Sequence, residues 1–287
     1  MRRILLTVEY HGAGFFGWQR QGASRSVQGT IEVALQDLLG HEITVHGAGR
    51  TDRGVHALAM PAHVDVETRL DCQSIMMAVN ARLPDDAKVR LVREVDPRFH
   101  SRFDALRKIY RYSFALGRAP SPMLADRACH FPRPLDIHSM QQAAKLLVGR
   151  HDFACFRSST DEAEIDEDAP EVTPDKFGPA TLASGHYEAP PWRKPRPRGT
   201  VRHLTWLEVT RKGRIVQIEV CGDGFLRGMV RAIAGTLTQV GLGRQPAGWV
   251  AEVLASQDRR MAGANLPAHG LTLVRVDYPP ECFGNRL

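Results

Sequence analysis

The sequence is poor in cysteine and has no long apolar run. Its five cysteines, at positions 72, 129, 155, 221 and 282, are scattered over 287 residues without a C-x-x-C pair. An odd, dispersed set argues against a disulfide framework or a thiolate zinc site, and for a reducing compartment. The opening MRRILLTVEY holds an apolar stretch of only five residues, too short for a signal h-region or a membrane span. A cytoplasmic protein is the expectation. Rossmann fingerprints, P-loops and metal boxes are also missing, so neither nucleotide cofactor nor metal is expected. His56 and His63 lack metal-ligand spacing with any other His or Cys and read as structural, with His56 orienting its loop. Lysine is scarce too: only six of the 38 basic residues, the other 32 being arginine.

Arginine binds phosphate bidentately and stacks on bases, so an arginine-weighted net charge of +6 suits a nucleic-acid partner. A genome rich in G and C would give the same bias. With 43% hydrophobic residues the chain can bury real cores, and its length allows one large domain or two ordinary ones.

The densest chemistry is GAGRTDRGVH at 47–56, with three glycines, two arginines and one carboxylate. Glycines let the backbone turn sharply and approach a ligand closely. Asp52 lies between Arg50 and Arg53, an arrangement that favours an ionised carboxylate. Such a group is a poor general acid but can act as nucleophile or charge stabiliser, and the arginines can grip phosphate. From residue types alone, a tight turn capped by the aspartate remains open.

Around this loop the pattern is α+β. Residues 3–10 alternate with Ile4, Leu6, Val8 and Tyr10 on one face, a half-buried strand. Residues 11–21 interleave Phe15, Phe16 and Trp18 with Arg20. Phe15 and Arg20 suit base stacking, whereas Phe16 and Trp18 equally suit an aromatic plug. Ser26 caps a helix to Leu39, a short strand at 43–46 feeds the loop, and a strand at 62–66 leaves it. A helix at about 71–82 and a strand at 88–95 complete β-α-β-β-α-β, the split βαβ pattern.

A second unit follows from about 105. Lys108, Tyr110, Tyr112 and Phe114 share one face of a strand at 106–116. Asp136 caps a helix that Gly149 ends. Strands are expected near 201–210 and 214–221. A helix opens in the segment starting at Gly224, capped by Asp223, with Arg227 and Arg231 on one face. A last helix begins at Pro246, and a strand ends near 276. Residues 157–200 differ: eight acids lie from Asp161 to Asp175 and seven prolines from Pro170 to Pro197, before Arg193, Lys194, Arg196 and Arg198. This reads as a mobile insertion. Its basic end contacts RNA or is a solvated loop attracted to its acidic half.

The order of residues in these stretches resembles the tRNA pseudouridine synthase A family. The resemblance rests on G-R-T-D-x-G-V-H at the Asp52 loop, Y-D-G-x-x-Y-x-G-W-Q-x-Q near the start, R-x-Y-x-Y at Tyr110, H-D-F at 151–153, F-x-x-x-M-V-R-x-I-V-G at Arg231 and G-L-x-L at Leu271 and Leu273. Among the departures from it, His11 stands where the family has aspartate, and Arg53 where it usually has alanine. The resemblance implies two ferredoxin-like α+β domains with antiparallel sheets, at 1–104 and 105–287, and an active-site cleft between them. It implies isomerisation of uridine to pseudouridine at positions 38, 39 or 40 of the tRNA anticodon arm, by a homodimer without cofactor. It makes Asp52 the nucleophile, Arg231 its partner, and Tyr110 the ring stacked on the uracil and a catalytic candidate for assisting proton transfer. Leu273, with Leu271 as the alternative, lines the pocket, and Arg50 contacts the flipped nucleotide's phosphate. Phe15, Arg20, Arg53 and Arg227 are further candidate RNA contacts. The route of attack by Asp52 stays open. The alternatives are an RNA-binding or RNA-folding protein without catalysis and a base-removing glycosidase.

Overall fold

The computed structural model describes residues 1–158, 189–195 and 199–283. Most of the charged insertion, including Arg196 and Arg198, lies outside the described residues.

The first half runs β1 (Arg2–Tyr10), α1 (Val27–Leu39), β2 (His46–Gly47), β3 (His56–Val66), α2 (Cys72–Asn80) and β4 (Ala87–Glu94). Ser26 Oγ accepts the Gly29 N–H and Asp71 Oδ1 the Ser74 N–H, each satisfying a donor the first helical turn leaves open. Val27, Ile31, Ala34 and Leu35 form the buried stripe of α1. The strand expected at 43–46 shrinks to His46–Gly47. Side chains of α1 take its backbone instead: Val45 N–H donates to Glu32 Oε1 at 3.0 Å, and Gln28 Nε2 to the Val45 carbonyl at 3.1 Å.

The second half runs β5 (Arg107–Leu116), β6 (Cys129–Phe131), α3 (Ile137–Lys145), β7 (Gly149–Asp152), β8 (Val201–Lys212), β9 (Ile215–Gly222), α4 (Met229–Gly241), α5 (Trp249–Ser256) and β10 (Leu271–Asp277). Asp136 caps α3 through the Ser139 N–H. Asp223 does not cap α4, which begins six residues later at Met229. Its carboxylate instead accepts the His203 N–H at 3.0 Å. The last helix begins at Trp249 rather than Pro246.

The strands form one mostly antiparallel sheet in the order β4-β1-β3-β10-β5-β9-β8-β7, with β2 added to β3 and β6 to β5. Each half repeats one order, β4-β1-β3-β2 in the first and β10-β5-β9-β8 in the second, the arrangement of the split βαβ unit. The fold is therefore α+β. The halves join through β10, which pairs parallel with β3 at Thr272–His56 and Leu273–Ala57 and antiparallel with β5. One core gathers Leu6, Ile31, Leu35, Ile75 and Leu273. The other gathers Phe114, Met140, Ile218, Ile233 and Leu271. The last strand thus contributes a leucine to each core and fixes the halves at the Asp52 loop. Among the described residues no helix is long and apolar enough to cross a membrane.

A small third core of Leu5, Val95, Phe99 and Cys282 packs Trp192. Beside it Arg193 forms an ion pair with the buried Asp104: its Nη2 donates to Asp104 Oδ2 at 3.1 Å and to the Arg98 carbonyl at 2.9 Å. Arg193, expected in a solvated or RNA-facing basic run, is instead an anchor that docks the end of the insertion on the first half.

Candidate active site

The Asp52 loop is held by its neighbours. Thr51 is buried, its Oγ1 2.8 Å from the Tyr10 hydroxyl, and its carbonyl accepts the Trp18 N–H at 3.1 Å. The Asp52 carbonyl accepts the Val55 N–H at 3.1 Å, closing the turn. Residues 11–18 press against it so closely that two glycines are required. A Cβ on Gly12 would lie 2.1 Å from the Val55 carbonyl oxygen, and one on Gly17, where φ is +101°, 2.5 Å from that of Thr51. His56 ties three segments: its Nδ1 accepts the Gly12 N–H at 3.0 Å and its Nε2 donates to the His269 carbonyl at 3.1 Å. Burial, then the neighbouring His11, lowers its pKa, which keeps the ring neutral and Nδ1 able to accept. His56 is a brace.

Asp52 is partly exposed, and each carboxylate oxygen faces one guanidinium. Arg231 Nη1 lies 3.4 Å from Oδ2 and Arg227 Nε 3.5 Å from Oδ1. Arg231 is steadied by its Nε, which donates to the Leu266 carbonyl at 2.6 Å. The structure thus brings Arg231 to Asp52 from across the two halves, and adds Arg227, for which the sequence suggested only an RNA contact. The i, i+4 spacing was visible in sequence; that both cations face one aspartate was not.

Tyr110 faces the same place. Its ring meets Phe225 edge-on at 5.1 Å between centroids. Burial, and then the charge of Asp52, raise its hydroxyl pKa, so the phenol stays protonated. Leu273 pairs in register with Tyr110 and Leu271 with Tyr112. Both leucines are nearly buried, Leu273 the more so. Lys108 Nζ donates to the Ala48 carbonyl at 2.7 Å, tying β5 to the loop. The turn before β10 is a hub: its Leu266, Pro267 and His269 carbonyls accept from Arg231, the Tyr112 hydroxyl and His56. Nothing in the sequence of that turn marked it.

The remaining candidates divide. Arg50 is exposed on the loop. Arg20 is exposed and lies 3.2 Å from Glu32. Arg53 is exposed with its guanidinium 4.2 Å from the centroid of the Phe16 ring. Phe15 is corrected: at 1% exposure it belongs to the first core, capped by Arg25, and no base can reach it. Trp18 is buried as a plug, whereas Phe16 is 53% exposed. No cluster of three or more His, Cys, Asp or Glu able to hold a metal occurs among the described residues.

The family model described as tRNA pseudouridine synthase matches residues 6–104 and 187–279. The chain belongs to the tRNA pseudouridine synthase family. It is an enzyme of the isomerase class. Asp52 lies in the first matched stretch, and Arg227, Arg231, Leu271 and Leu273 in the second; Tyr110 lies between them. The chain is similar along nearly its whole length to proteins named tRNA pseudouridine synthase A. That of Thermus thermophilus is 41% identical over 98% of both chains. That of Acetivibrio thermocellus is 37% identical over 97% of this chain and all of its own. That of Klebsiella pneumoniae is 38% identical over 96% of this chain and 90% of its own. These tRNA pseudouridine synthases match over nearly the whole chain, so the family assignment covers both halves of the fold.

Proposed function

We propose that this protein isomerises uridine to pseudouridine in the anticodon stem-loop of tRNAs, at positions 38, 39 or 40, with Asp52 as the nucleophile. The names of its relatives and the resemblance of its motifs support the tRNA substrate. The reading rests above all on one observation: the carboxylate of Asp52, the one acid of its loop, is held where the two halves meet, against two guanidiniums and beside a protonated phenol.

The reaction breaks the bond from C1′ to N1 and forms one from C1′ to C5; C5 gives up its proton and N1 takes one up, so the product is an isomer of the substrate. Nothing is added or oxidised, so one carboxylate and an enclosing pocket suffice. Hydrolysis of a glycosidic bond commonly uses two carboxylates to manage water. Here a detached base must be kept from water; Tyr110 and Leu271, the latter 7% exposed, supply apolar walls, and Leu273, 1% exposed, backs them from the core. The target leaves its stack to reach the site. Tyr110 stacks on the uracil, Arg50 meets the nucleotide's phosphate, and Arg231 orients Asp52. Residues 1–104 and 105–287 act as the two domains of each subunit of a cytoplasmic homodimer, each RNA touching both subunits.

Incubation with tRNA carrying tritium at uracil C5 tests this. A synthase releases tritium to water with the base retained. Free uracil would instead indicate a glycosidase, and bound but unchanged RNA a non-catalytic binder.

A further inference from the structure

Two aromatic rings near Asp52 carry a guanidinium, in contrasting settings. Arg25 covers Phe15 at 4.1 Å, but that ring is buried and Arg25 is fixed to Asp86 by two hydrogen bonds of 2.7 Å. This pair is a cap on the core. Arg53 covers Phe16 at 4.2 Å, and here both partners are exposed. Such exposed cation–π contacts are weak, so another π-face can take the cation's place.

The position of this ring is fixed relative to Asp52. Phe16 N–H donates to the Arg25 carbonyl at 2.9 Å, and Trp18 N–H to the Thr51 carbonyl at 3.1 Å. Gly17 between them presses on the Thr51 carbonyl. Arg53 follows Asp52 directly in the turn closed by Val55. Ring, guanidinium and carboxylate are thus borne by two loops stapled together. A solvated aromatic face with a cation beside it, built on a rigid backbone, matches the chemistry of an unpaired nucleobase and its phosphate.

We propose that Phe16 and Arg53 form a stacking subsite for an unpaired base neighbouring the uridine presented to Asp52. The base takes the ring face that Arg53 covers in the free protein, and the released guanidinium pairs with that nucleotide's phosphate. This rests on the RNA-modifying reading above and adds to it a contact outside the reacting nucleotide. Arg53 stands where the family usually has alanine, so the resemblance by itself does not imply this subsite.

The test uses the full chain, an anticodon-arm hairpin transcript and full tRNA, with binding followed against salt and turnover by tritium release. Phe16→Ala weakens binding and raises KM by about tenfold, within the range of losing one base–aromatic stack, while kcat at saturating RNA holds within about twofold. Phe16→Leu, which keeps apolar bulk, shows the same loss with an unchanged melt, and Phe16→Trp restores binding. Arg53→Ala reduces the slope of log affinity against log salt by about 0.7–0.9, the loss of one phosphate contact; Phe16→Ala leaves that slope alone. Wild-type affinity in Phe16→Ala and Phe16→Leu overturns the stacking site. An unchanged slope in Arg53→Ala overturns the phosphate contact. Absence of turnover by the wild type itself would overturn the function reading rather than the subsite alone.

Discussion

Arg231 bridges the two halves: its Nε donates to the Leu266 carbonyl at 2.6 Å while its Nη1 lies 3.4 Å from Asp52 Oδ2, 179 residues earlier. Two nitrogens of one planar guanidinium hold the carbonyl and the carboxylate in a fixed geometry, where lysine offers a single nitrogen on a flexible stem. The carbonyl bond fixes where the charge sits, and the charge fixes how the carboxylate points.

Arg231→Ala is therefore expected to lower kcat by on the order of 10²-fold, the scale of displacing a reacting group by 1 Å. Loss of a charge-assisted hydrogen bond should also cost about 1–3 kcal/mol of stability. Arg231→Lys should recover part of the stability and little of the rate. Initial rates and urea melts measured on the same preparations check this. A wild-type rate in a folded Arg231→Ala variant would contradict the pairing.

Arg193 and Asp104 make a second long-range pair, with Asp104 fully buried. Removing one partner of a buried pair leaves an uncompensated charge, at a cost of about 3–5 kcal/mol. Arg193→Met should lose stability on that scale, and the double variant with Asp104→Asn should recover much of it. Because Arg193 is occupied inside the protein, the salt dependence of RNA binding should not change in Arg193→Met. A lowered salt slope with an unchanged melt would show that this arginine faces RNA.

The buried histidines predict an acid limb of stability. His100 is pushed down to about 2, by burial first and then by His46, Arg193, Arg3 and Arg102. His63 lies well below its ordinary value, by burial first and then by His100, Arg3, His46 and Arg193. The fold holds both neutral, while the unfolded chain protonates them below about pH 6.5. Their contribution is complete above that pH and falls as pH drops toward the folded values, by about 1.4 kcal/mol per pH unit for each histidine. His100 Nδ1 accepts the Arg102 N–H at 3.1 Å, and an asparagine oxygen can replace that acceptor. His100→Asn should flatten the profile of urea midpoint between pH 7.5 and 5 by one proton's worth. A profile parallel to the wild type would contradict the assignment.

Short-range signals were legible in the sequence. Ser26, Asp71 and Asp136 cap helices because a side chain reaches an amide three residues on, and that depends on local order alone. Asp223 failed the same reading because β8 reached its carboxylate first. The alternation of β1 was readable, but the parallel pairing of β10 with β3 joins residues more than 200 apart and left no local trace. The loop at 11–21 has no period, so the preference for Phe15 over Phe16 as the base-stacking ring had no spacing to rest on, and the structure reverses it by burying the first and exposing the second. Arg193 looked like one of a basic run until Asp104 supplied a buried partner. At the site, residue order singled out Asp52, Tyr110, Arg231 and Leu273, which the fold brings to one junction, while Arg227 needed coordinates to be placed on Asp52.

The central claim is that Asp52 performs the chemistry, and the direct measurement is tritium release from C5-labelled tRNA by Asp52→Asn beside the wild type. Asparagine keeps the shape and removes the charge. The wild type should release label to water; the variant should release none while binding the same tRNA with comparable affinity. Release by Asp52→Asn at a rate near that of the wild type would contradict the account.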